Sequence, residues 1–196
     1  MPLRGAGCVP GSANVNAHSM KVHDYNGTGK WALEAIVSRY HEYAAKLGIE
    51  QPLHLKPVEL VRGEEHWIYP VMDQIITGIH SGDAACAVIG VEFLEEDRKF
   101  SFGANLKART ARALRQAEVS PLLVERLRRR IVSMLVEGNV PREYREYARL
   151  LRKIGFDKWW PRLSEQVPKD NPYAMRYFNY FRLVHEQSAA VVRHAR

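Results

Sequence analysis

The chain has 196 residues, a formal net charge of +7 and a composition that is 46% hydrophobic and 26% charged. That is enough chain for one domain to bury a core without metal or disulfide staples. With only Cys8 and Cys86, neither a disulfide framework nor a paired-cysteine zinc site is expected, and the usage suits a reducing, cytoplasmic setting. No run of about 18 apolar residues is present, so no membrane span is expected.

Gly, Pro, Ser and Asn dominate the opening residues, so residues 1–28 read as a disordered leader ahead of one helical domain over 29–196. Across its end, "GTGK" at 27–30 lacks the spacing, the following Ser or Thr and the preceding strand of a phosphate loop. It reads as flexible glycines before a helix.

Residues 29–47 place Leu33, Ile36, Tyr40, Ala44 and Leu47 on one helical face, closed by Gly48. "IEQPLHLKPVELVRGEEH" then has two prolines and no period, which predicts an extended connection, with a doubtful strand at "LHLKPVEL". From Trp67, the stripe Ile68, Val71, Met72, Ile75 and Ile79 predicts a helix ending at "HSGD". Asp83 is placed to cap the next helix, whose inner face would be Cys86, Ala87, Gly90, Phe93 and Leu94. Its outer face carries Glu92, Glu95 and Glu96, which read as a solvated acidic surface.

A further helix is predicted from about Ala104 to Ala117. Ser120–Pro121 starts another, with Leu127 and Ile131 central to its apolar face, and Gly138 ends it. Pro141 opens the next and Gly155 closes it. Asn171–Pro172 starts the last, with Tyr177, Phe178, Phe181, Val184 and Ser188 on one side. The predicted fold class is all-α, with about seven helices in an antiparallel bundle or a short stack of helical hairpins. The joints at "SGD" and "GNVP" resemble those of HEAT-type hairpins.

The eight histidines form no metalloprotease pair, and no complete catalytic, metal or nucleotide motif is present. No cofactor or metal is expected, and binding ranks above catalysis. The strongest departure from background is arginine. Between Ala104 and Gly155 there are thirteen Lys and Arg against five Glu. Arg109, Arg112 and Arg115 lie opposite Leu106 and Ala113. Arg126, Arg129 and Arg130 lie opposite Leu127 and Ile131. Arg142, Arg145, Arg149 and Arg152 step by three, four and three, which confines them to one narrow arc opposite Tyr147 and Leu151.

Arginine forks suit phosphate and carboxylate, so an arginine-rich face over residues 107–153 is expected to engage an anionic partner, with nucleic acid the leading candidate. The alternatives are a scaffold or homo-oligomer whose partner is acidic or binds the aromatic C-terminal segment, and an enzyme with a site between helices. The ordinary competing reading of the arginines is a solvated face with local pairs such as Glu125–Arg129.

Overall fold

The computed structural model describes residues 20–96, 99 and 101–194. Most of them are helical: α1 (Leu33–Lys46), α2 (Met72–His80), α3 (Ala84–Glu95), α4 (Gly103–Gln116), α5 (Pro121–Val136), α6 (Tyr144–Ile154), α7 (Trp160–Gln166) and α8 (Pro172–His194). Among the described residues no helix is long and apolar enough to cross a membrane.

The all-α expectation needs one correction. Three four-residue strands, β1 (Lys21–Asp24), β2 (Glu59–Arg62) and β3 (Glu65–Ile68), form a small sheet in the order β1-β3-β2. β1 runs parallel to β3, pairing Val22 with His66, and β2 runs antiparallel to it, pairing Leu60 with Trp67. Residues 21–24 are therefore strand, although they fall within the expected leader; residues 1–19 lie outside the described residues. Trp67 and Ile68 belong to β3 rather than to the helix expected from Trp67. Pro70 separates the two, and its missing N–H and fixed φ favour a helix start just beyond it.

The helix punctuation follows the sequence closely. Asp83 accepts a hydrogen bond from the Cys86 amide at 2.9 Å, capping α3. Gly48, Gly138 and Gly155 all take positive φ at helix ends. Asn171 accepts from the Tyr173 and Ala174 amides at 3.0 and 3.1 Å, capping α8. α6 begins three residues later than expected, because 141–143 form a turn whose Pro141 carbonyl accepts from the Tyr144 amide at 2.9 Å.

Alternate helices pack side by side. α2 contacts α4, and α4 contacts α6; in the opposite layer α1 contacts α3, and α3 contacts α5. α3 buries Ala85, Cys86, Ile89, Val91, Phe93 and Leu94 and touches α1, α2, α4 and α5. A helix this apolar around most of its circumference belongs in a core. Small residues set the spacing: a Cβ on Gly90 would lie 2.6 Å from Ile79 Cδ1. Leu127 and Ile131 are fully buried, as expected. Tyr144, also fully buried, donates from its hydroxyl to the Ile131 carbonyl at 2.9 Å and so ties α6 to α5.

Candidate anion-binding groove

α4 and α6 pack directly against each other and run in the same direction. The early residues Ala104, Asn105 and Ala108 line one hollow with Arg142, Glu143 and Arg145; Arg115, the penultimate residue of α4, lines a second with Arg149 and Arg152. The first hollow measures about 660 Å³ and the second about 480 Å³. Among the described residues they are lined by seven basic side chains (Arg112, Arg115, Arg142, Arg145, Arg149, Arg152 and Lys153) against two glutamates, Glu143 and Glu146.

Glu146 is the hub of this valley. Its side chain is only 9% exposed, and Arg149 donates to its Oε1 at 2.7 Å. Arg112 stands 3.6 Å from Oε1 and Arg115 3.7 Å from Oε2. One buried carboxylate thus anchors three guanidinium groups from two helices, leaving the cluster with excess positive charge. Arg142 and Arg145 are exposed on the rim. Arg152 donates to the Tyr180 hydroxyl at 3.4 Å. Sequence reasoning did not single out Glu146. Its signal was there: it sits inside the arginine run, three residues from Arg149 and one turn of helix from a paired cation.

The other predicted site arginines do not join the groove. Arg109 forms an ion pair with Asp73 of α2. Arg126 binds both oxygens of Glu95, at 3.1 and 2.5 Å, and that bond raises its pKa further above the ordinary guanidinium value against the opposing effect of burial. Arg130 donates to the Leu94 carbonyl at 3.2 Å, at the end of α3. Arg128, which the sequence did not mark, donates to the carbonyls of Ile154 and Gly155 at 2.5 and 3.1 Å and to Asp157 at 3.0 Å. Cations placed on the last carbonyls of a helix offset its negative end, so these α5 arginines fasten neighbouring helices. Arg129 is exposed on α5. The expected Glu125–Arg129 pair gives way to Glu125 with Lys158 at 2.8 Å and with the Trp159 indole at 3.0 Å.

The acidic face of α3 is also corrected. Glu92 takes Arg39 and the Tyr43 hydroxyl at 2.5 Å each, Glu95 takes Arg126, and Glu96 takes Lys30 at 3.1 Å and the Trp31 indole at 3.0 Å. These carboxylates are half-buried and hold α1 and α5 against α3. Lys30 of "GTGK" is thereby an ion-pair partner at the foot of α1. The Tyr43 phenol, donating to Glu92 and partly desolvated, has its pKa raised.

No family model, curated protein or solved structure matches the chain.

Proposed function

We propose that this protein binds nucleic acid through its phosphate backbone, seated along the groove between α4 and α6. The observation that carries the reading is the convergence of arginines from two helices on one valley, seven basic groups against two glutamates among the described residues. The arginines from Arg145 to Arg152 cover roughly 10 Å of α6 at 1.5 Å per residue, and Arg142 extends the row from the turn before it. A nucleic-acid strand spaces its phosphates about 3.4 Å apart along a helical axis, so about four phosphates fall within that span. Forked guanidinium groups bond pairs of phosphate oxygens, and their charge adds over several contacts. The alternate-helix packing supports reading the helices as a short stack of hairpins, in which α2, α4 and α6 offer one continuous face.

The test is fluorescence anisotropy with a labelled oligonucleotide across a salt series. Three to four phosphate contacts give a log–log slope of roughly −2 to −4, depending on strandedness, and affinity should vary little with base sequence. Absence of binding at low salt, with retained binding of an acidic polypeptide, would replace this reading with an acidic protein partner.

A further inference from the structure

The groove also carries information on which form of nucleic acid it takes. Two packed helices stand about 8–10 Å apart between axes, and each is about 10–12 Å across with its side chains. Side by side they are broader than the major groove of DNA, about 12 Å wide, which admits a single helix. α6 is flanked by α4 and also packs on α5 and α8, so it cannot enter a duplex as a lone reading helix. A duplex could only rest on the rim arginines. A single strand can sink into the valley.

Each hollow also has an aromatic ring in its wall. Phe102 lines the larger one and Tyr180 the smaller. Phe102 is 53% exposed, which is unusual for a phenylalanine, and its backbone sits at φ 57, in the left-handed region. A bulky non-glycine residue there is strained. The Tyr25 ring meets it edge-on at 5.1 Å and 79°, which braces it at the start of α4. Tyr180 is half-buried; charged grooves interleaved with accessible rings are the arrangement by which single strands are held without sequence preference, backbone on the cations and bases on the rings.

We infer that the α4–α6 groove takes single-stranded nucleic acid, with one base stacked on Phe102 and another on Tyr180 while the arginines between them hold the phosphates. This rests on the nucleic-acid reading above and narrows it. The strand crosses the groove from the start of α4 toward the end of α6, and the strained Phe102 backbone is the cost of presenting that ring.

The experiment compares a labelled oligothymidylate of about twelve nucleotides, within the usual site sizes, with a duplex of the same length. Both are titrated against the wild-type chain and two variants. Phe102→Gly removes the ring but suits the left-handed backbone, so its thermal unfolding should be as good as or better than wild type. Its affinity for the single strand should fall by about five-fold to a hundred-fold, as for loss of one stacked base. Phe102→Tyr should retain affinity. Wild type should bind the single strand at least about ten times more tightly than the duplex, where stacking is lost. Equal affinities for the two forms, together with an unaffected Phe102→Gly variant, would overturn the single-strand inference and leave the groove reading standing. Binding to neither form would overturn both.

Discussion

Replacing Glu146 by glutamine should loosen the fold and tighten the grip on an anion at the same time. The side chain is 9% exposed, with guanidinium groups at 2.7, 3.6 and 3.7 Å. The partner arginines are 40%, 51% and 27% exposed, so solvent screens the pairs strongly, and the dielectric of water sets the lower bound. Coulomb's law then gives about 1.5 kcal/mol for the nearest pair and about 1 kcal/mol for each of the others. Neutralising the carboxylate also removes its desolvation cost, and glutamine keeps an acceptor for Arg149. The net loss should be about 1–3 kcal/mol. For a chain of this size that lowers the melting temperature by roughly 2–12 °C. The arginines meanwhile lose a competing anion. A phosphate about 7 Å from the former carboxylate is relieved of roughly 0.6 kcal/mol of repulsion, about a threefold gain in affinity. Thermal unfolding and oligonucleotide anisotropy on the same preparation read both effects. A variant that melts as wild type and binds more weakly would show that Glu146 neither anchors the arginines nor opposes the ligand.

Truncation of Leu127 to alanine, at a fully buried position, should cost about 2–5 kcal/mol in chemical denaturation. Gly78→Ala should destabilise by about 1–3 kcal/mol by overpacking, because a Cβ there would collide with the Cys86 side chain; Cys86→Ala in the same chain should recover part of the loss. Burial, outweighing the Leu53 amide bond, pushes the Tyr40 phenol up to about 12, and burial raises Tyr144 well above its usual value. The fold therefore favours the neutral phenols, and the stability they confer is complete below about pH 10 and lost as pH rises through the folded values. Denaturant midpoints should hold to about pH 9 and fall beyond pH 10. Tyr40→Phe should show a shallower fall than wild type.

The parts of this structure that the sequence announced are those set by local chemistry. Asp83, Gly138, Gly155 and Asn171 act within one turn of their own position, and the 3.6-residue period places Leu127 and Ile131 inward whatever packs on them. The arginine arc on α6 was visible for the same reason. The rest is non-local. β1 and β3 are four residues each, lack alternation and pair across more than forty positions, so only the assembled chain identifies them. Glu92, Glu95 and Glu96 look solvated until Arg39, Arg126 and Lys30 arrive from other elements. The same holds for the arginines: composition treats Arg126, Arg128 and Arg130 as equivalent to Arg142 and Arg145, yet the first three are committed to neighbouring carboxylates and helix ends.

That division is what an affinity comparison between two arginine sites tests most directly. Arg142, just before α6, and Arg145 are exposed on the rim of the groove, while Arg129 is also exposed, on α5, and lines neither hollow. Single-strand affinity at low salt should collapse in Arg142→Ala/Arg145→Ala, with the salt slope reduced by about one to two and thermal unfolding unchanged. Arg129→Ala should bind as wild type. Equal losses at the two sites would mean that the oligonucleotide responds to overall charge, and that the groove between α4 and α6 is not the seat.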